Sequence, residues 1–357
     1  MRLNELYISY TFPKLDFQIQ HGDKIALVGS CFSDEIGNQF KDAGHEVLVN
    51  PFGTIFHPTS IAQNILACFD EDYQERILER DCRFYSWDCS TKVVADTFED
   101  LDFLLKEIRK YLADYLTSAK LLVVTFGTSW GYELTQLEEM VANCHKAPAD
   151  YFQKFLSSPY EMVQDWTMCL DKLREINPNL EVVFTVSPVR HVRDGLVENN
   201  LSKARLVEVT QQLILEDKAH YFASYEYVID VLRDYRFYKS DGIHPSEQTI
   251  SIIWSKFQES CMNIETMDVN SKVSKYNRFK NHQYIGQTAE EIANRTEQLK
   301  KKKLETITMP SNLREIGNRA FLYCQALQSI EIPAKVGTIG SSAFFYCTAL
   351  KEITIPK

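Results

Sequence analysis

The chain has 357 residues, 45% hydrophobic and 25% charged, with a net charge of −10. That balance suits a folded globular protein with room for one large domain or two ordinary ones. The negative charge argues against a nucleic-acid or anionic-membrane partner, and no apolar run approaches the ~20 residues of a membrane span.

Smaller features point the same way. The run Lys300 to Lys303 reads as a solvated helix end or linker. Met1 to Leu6 lacks the apolar core of a secretory leader, so a cytoplasmic location is expected. The nine cysteines are odd in number and scattered, which predicts free thiols. No CxxC pair is present, so neither a metal site nor a cofactor is expected.

In chain order, residues 1–23 read as an extended lead-in. Ile25 to Gly29 is an apolar run with the character of a buried parallel strand. Ser33, Asp34 and Glu35 read as the start of a helix that runs to Ala43 and stops at Gly44. Glu46 to Asn50 is a second strand, closed by Pro51. A turn-rich loop through His57 leads to a helix capped by Thr59 or Ser60 and ending near Phe69. Residues 70–97 read as irregular.

Phe98, Leu101, Leu104, Leu105, Ile108, Leu112 and Leu116 have helical spacing. Leu121 to Gly127 is the clearest buried strand, and a loop holding Trp130 and Asn143 to Lys146 follows it. Further along, 159–176 is helical, Glu181 to Val186 a strand, 199–219 helical, 221–230 includes a strand, and a last helix ends near Met262. Strands separated by long helices predict parallel βαβ units, hence a three-layer α/β domain. The expected boundaries are 1–262 for this domain, 263–303 for a helix-permissive connector, and 304–357 for a repeat array.

The array rests on period. Ile316, Gly317, Ala320, Phe321, Cys324, Leu327, Ile330 and Pro333 each recur 23 residues later, ending at Pro356, and Leu304, Ile307 and Pro310 fit one register earlier. A fixed period with a leucine/isoleucine pattern predicts a solenoid. It resembles the BspA-like leucine-rich repeats, with two full repeats legible and the cysteines packed in the core. Such repeats are a candidate surface for a protein partner.

The chemistry centres on the corner after the first strand. Ser30 and Cys31 are both nucleophile-capable, and they sit at the carboxyl edge of the sheet beside a helix N-terminus that favours a developing anion. Late in the domain, Asp241 and His244 lie three apart in a loop, the arrangement of a general base oriented by a carboxylate. Arg190 and His191 end a strand in the layer where a substrate anion would bind, although a structural salt bridge accounts for them equally well. His145 fits a loop cap as well as a site residue. His57, Trp87 and Trp130 read as structural.

Gly29-Ser30-Cys31-Phe32-Ser33 resembles the signature of the GSCFA family. The stretches Asn50 to Thr54, Asn143 to Lys146, Ser187 to His191 and Asp241 to Ser246 resemble further blocks of it, in order, over roughly residues 20–262. GSCFA proteins are similar to the SGNH (GDSL-type) hydrolases. That resemblance implies a flavodoxin-like sheet, a nucleophile after strand one, a late Asp-x-x-His, an oxyanion hole from a Gly and an Asn, and hydrolysis of esters without a metal. Position for position, Cys31 falls where the nucleophilic Ser stands, and a shift by one selects Ser30. A helix N-terminus is expected to lower a thiol pKa. Gly53 takes the second block's oxyanion role. The third block's Gly-x-Asn-Asp survives only as Gly127-Thr128-Ser129-Trp130, so Asn143 stands in for its Asn.

The expectation is a metal-independent hydrolase or acyltransferase acting on a small-molecule or carbohydrate ester. The alternative is a degenerate α/β scaffold whose repeats recruit a protein.

Overall fold

The computed structural model describes residues 8–215 and 219–281 and, in the tail, 306–307, 313–317, 320–321, 327–340, 343–344 and 350–355. It divides into two compact units, residues 1–274 and 275–357.

The first unit is built on five parallel strands: β1 (Lys24–Gly29), β2 (Glu46–Val49), β6 (Leu121–Phe126), β10 (Glu181–Val186) and β11 (His220–Tyr221). Their order is β11-β10-β6-β1-β2. With the five strands numbered in chain order, this is the flavodoxin-like order 2-1-3-4-5, in which ligands bind at the carboxyl ends beside the point where the strand order reverses.

Alternation along the strands sorts the core into two faces. Ala26, Val28, Leu122, Val124, Phe126, Phe184 and Val186 pack against α2 (Pro58–Leu66), α3 (Phe98–Leu116), α4 (Pro159–Ile176) and α5 (Leu196–Leu215). Ile25, Leu27, Leu121, Val123 and Val183 pack against α1 (Cys31–Asp42) and α7 (Glu247–Cys261). The result is the expected three-layer α/β fold.

Several local expectations change. Helix α1 starts at Cys31, because Ser30 is the cap and its Oγ accepts from the Phe32 amide. Ser33 is already inside the helix, and its hydroxyl donates to the Val28 carbonyl and bonds Thr125 Oγ1 at 2.8 Å. The region read as irregular holds an antiparallel sheet of β3 (Ile77–Arg80), β4 (Arg83–Ser86) and β5 (Val94–Ala95). The loop after β6 folds into β7 (Trp130–Leu134), β8 (Glu139–Val141) and β9 (Phe152–Leu156). The last parallel strand is only β11. The chain then turns into α6 (Ser224–Glu226) and a π-helical turn over Tyr227–Val231. The first part of the connector is helix α8 (Ile264–Asn281), whereas 282–303, including Lys300 to Lys303, lies outside the described residues.

Two buried histidines are structural. His57 caps α2 by accepting the Thr59 amide on Nδ1, which leaves the proton on Nε2, 2.9 Å from Ser157 Oγ. His45 stacks on His21 with ring centroids 4.3 Å apart, and both Nε2 atoms meet the single amide oxygen of Asn270. Burial holds each of His45 and His57 at a pKa of about 4.

In the second unit the expected period appears as strand register. β13 (Glu315–Ile316) pairs in parallel with β15 (Thr338–Ile339), and Ile316 faces Ile339. β12 (Thr306–Ile307), β14 (Ser329–Glu331) and β16 (Glu352–Thr354) form a second parallel ladder, with Ile330 opposite Ile353. Phe321 and Phe344 stack at 5.2 Å. The repeat positions Leu304, Pro310, Cys324, Cys347 and Pro356 lie outside the described residues.

Gly29 has φ +126°, and a Cβ there would lie 2.2 Å from the Thr125 carbonyl oxygen. Gly29→Ala must therefore part β1 from β6, and we expect a loss of about 3 kcal/mol or more in urea unfolding. The depressed histidines set a pH window with a definite sign. An unfolded histidine binds its proton near pH 6.5, but His45 and His57 refuse it until about pH 4. Their stabilisation is complete above pH 6.5 and is lost as pH falls towards 4, each by on the order of 3 kcal/mol. His57→Asn keeps a capping side chain and should remove its share of the dependence of the urea midpoint on pH between 6.5 and 4, leaving that of His45.

Candidate functional site

The carboxyl ends of β6 and β10 converge on one buried amine. Lys203, on α5, is 1% exposed, and its Nζ donates to the carbonyls of Gly127 at 2.6 Å and Ser187 at 2.7 Å. Burial lowers its pKa to about 7, with Cys31 opposing that shift and Arg190 adding to it.

The same end of α5 holds both neighbouring loops. Ser202 Oγ takes the Ser129 amide at 2.8 Å and lies 3.0 Å from Thr128 Oγ1, and Asn199 Oδ1 accepts the His191 amide at 2.9 Å. None of these three α5 residues figures in the motif reading. Their signal is periodicity: 199, 202 and 203 continue the buried stripe of Leu206, Val209 and Leu213, and so place polar side chains where an apolar face is due.

Ser30 and Cys31 separate clearly. Ser30 is 1% exposed, its amide bonds the Thr125 carbonyl, and its hydroxyl is the helix cap. Cys31 is the first residue of α1 and is partly exposed. Its thiol pKa is raised, against the expectation for a helix N-terminus. Burial is the main cause, followed by Asp34 and Glu35, while its own backbone amide and Lys203 pull the other way.

Asp241 and His244 form a dyad. Asp241 Oδ2 lies 2.7 Å from His244 Nδ1, and Oδ1 accepts the amides of Ile243 and His244. These bonds hold the Asp241 carboxyl at about 2. Being charged, it can only accept, so Nδ1 carries the proton and Nε2 presents its lone pair. The loop is tied to α1 by Lys239, whose Nζ is 3.0 Å from Glu35 Oε1 and whose amide donates to the His244 carbonyl. No hydrogen bond joins His244 to Ser30 or Cys31 among the described residues.

Arg190 and His191 belong to the same edge. His191 meets Phe56 edge-on at 5.5 Å, and its pKa is lowered to about 4, by burial first and then by Lys203. His244 also bears on it. Arg190 lies beside Lys203, Tyr225 and Tyr238.

Three expected members do not serve as expected. Gly53 lies on the loop packed against the corner, but its amide closes a turn onto the Asn50 carbonyl at 2.8 Å and so offers no free donor to an oxyanion. The amides of Gly127 and Thr128 are likewise both directed at the Phe56 carbonyl. Asn143 and His145 are built into the antiparallel region. Asn143 Oδ1 accepts the His145 amide, and buried His145 Nε2 lies 2.7 Å from the Ser86 carbonyl, with its ring beside Tyr85 and Trp87. The order of residues along the chain does not show this, because β4, which carries Tyr85 and Ser86, leaves no periodic trace in the sequence. Among the described residues no cluster of three His, Cys, Asp or Glu side chains could hold a metal ion.

Comparison with known proteins follows the same division of the chain. The model of the BspA type leucine rich repeat region, in six copies, matches residues 284–357. No curated protein matches the chain. Among solved structures, a Parabacteroides merdae protein assigned as a GDSL-like lipase aligns at 10% identity over 70% of this chain and 98% of its own, with a TM-score of 0.38. A GDSL-like lipase from Bacteroides thetaiotaomicron aligns at 8% identity over 66% and 86%, with a TM-score of 0.33. A family two carbohydrate esterase from Clostridium thermocellum aligns at 10% identity over 72% and 65%, with a TM-score of 0.35. The fold is established by the sheet order, and these structures add no chemistry to it. The GSCFA family model matches residues 24–257, well over half of the chain, from the first strand through the last helix of the sheet domain. The chain belongs to the GSCFA family.

Proposed function

We propose that the sheet domain is a metal-independent acyl hydrolase or acyltransferase acting on an ester, with Cys31 as nucleophile, His244 as base and Asp241 orienting it. The observation that carries this reading is the Asp241–His244 dyad, fixed in one tautomer on a loop that Lys239 ties to the helix starting at Cys31. Cys31 is chosen over Ser30 because the Ser30 hydroxyl already caps that helix. A thiol whose pKa is raised needs a base, and His244 supplies one.

The cycle balances. His244 Nε2 takes the Cys31 proton, and the thiolate adds to the ester carbonyl at the positive end of α1. Collapse breaks the C–O bond, the alcohol leaves with the proton from His244, and a thioester remains. Water then attacks as His244 takes its proton. The C–S bond breaks, the acid departs and Cys31 is reprotonated. A second alcohol in place of water gives acyl transfer. A carbohydrate ester fits this chemistry, and the repeats offer a surface for a protein partner.

A scaffold reading draws on the absence of a hydrogen bond between His244 and either candidate nucleophile. Two measurements separate the readings. His244→Ala should lower kcat/KM for p-nitrophenyl acetate by about 10²–10⁴-fold; an unchanged rate sinks the hydrolase. The rate of iodoacetamide labelling at Cys31 should fall in the His244→Ala variant while that at exposed Cys82 stays the same, and an unchanged Cys31 rate favours the scaffold.

A further inference from the structure

One block of the family pattern plays no part in the proposed reaction. Gly53 is committed to a turn, but Asn50, at the head of the same block, meets the corner with every polar group it has. Its amide donates to the Leu27 carbonyl and its carbonyl accepts the Gly53 amide, both at 2.8 Å. Its backbone is left-handed, with φ +43°, a conformation asparagine adopts more readily than most residues. Its side-chain Oδ1 accepts the Gly29 amide at 2.8 Å, and its Nδ2 donates to Asp34 Oδ1 at 2.8 Å. The Gly29 N–H can only donate, so it fixes the orientation of the carboxamide and leaves the NH2 for Asp34. One side chain thus spans the corner, from the residue before Ser30 to the first turn of α1.

Asp34 and Glu35 lie three and four residues past Cys31 on α1, so both share its helix face. Each carboxylate opposes a thiolate there. Glu35 is paired with Lys239 at 3.0 Å. Asp34 is held by a neutral amide, which fixes its position but leaves its charge standing. Lys239 and Lys203 are the cations that bear on the thiol from the other elements, and Asp241 is paired with His244. We infer that Asn50 is a positioning residue for Cys31: its NH2 group holds the Asp34 carboxylate in one place beside the thiol and so sets how readily the thiolate forms. An oxygen in place of that NH2 would face Asp34 at the same spacing and put a second carboxylate next to the first.

The role in catalysis rests on the reading of Cys31 as nucleophile, but the test reads the thiol alone. The full chain is alkylated with iodoacetamide at about pH 8, where the thiolate is the minor form, and the adducts at Cys31 and exposed Cys82 are quantified by peptide mass spectrometry. Asn50→Asp should lower the Cys31 rate by about threefold or more, and Asp34→Asn, which keeps the hydrogen bond without the charge, should raise it by about as much. The double variant Asn50→Asp/Asp34→Asn rebuilds the amide–carboxylate bond in the opposite sense and should return the rate towards that of the native chain. Cys82 should react alike in all four. A clamp that only stabilises the fold would move the urea midpoint and leave the Cys31 rate unchanged in Asp34→Asn, which overturns the assignment. So does a double variant no faster than Asn50→Asp. If Asn50→Asp alone does not fold, the double variant must still react more slowly than Asp34→Asn, and equal rates in those two overturn the assignment. Failure of the hydrolase reading shows instead as unchanged p-nitrophenyl acetate turnover in His244→Ala, whatever the rates across these variants.

Discussion

A buried ammonium group holds the working edge of this protein together. Placing a lysine in the interior is costly unless its donors are met. Lys203 meets that condition with the first carbonyls beyond β6 and β10. The bonds fix where these adjacent strands end, and hence where the loops bearing Thr128, Ser129, Arg190 and His191 begin. Ser202 and Asn199, on the same helix face, fix those loops further by their backbone amides. One turn of α5 therefore sets the geometry of half the site, while Gly29, pressed against Thr125, sets the other half.

The parallel sheet was legible because its strands are continuous apolar runs and its helices are long and periodic. Helices 98–116 and 159–176 and strand 181–186 lie where the pattern places them. The antiparallel insertions were not legible, for a physical reason. Their strands are two to five residues long, half exposed, and stabilised by ring and ion-pair contacts such as Trp87 with Phe152 and Arg76 with Asp88. Such contacts leave no periodic trace.

The site divides along the same line. Cys31, Arg190, His191, Asp241 and His244 lie at the carboxyl side of the main sheet because each follows a strand of it or precedes a helix packed on it. Asn143 and His145 follow insertion strands and are absorbed by them. Gly53 reaches the corner, but its amide is committed to a turn. Lys203 escaped notice because a helix-borne lysine is ordinarily a surface residue, and only its place on the buried stripe distinguishes it.

In the tail, every strand pairing described joins residues 23 apart, as with Glu315 and Thr338 or Ser329 and Glu352. Each unit thus meets only its neighbours, through an identical seam. A tandem duplication or loss of one whole unit in the coding DNA would leave every remaining seam as it was, whereas gain or loss of a single residue would turn a strand's inward side chains outward. Array length is therefore free to vary in whole steps, and the reach of whatever surface it presents can change without any change to the sheet domain.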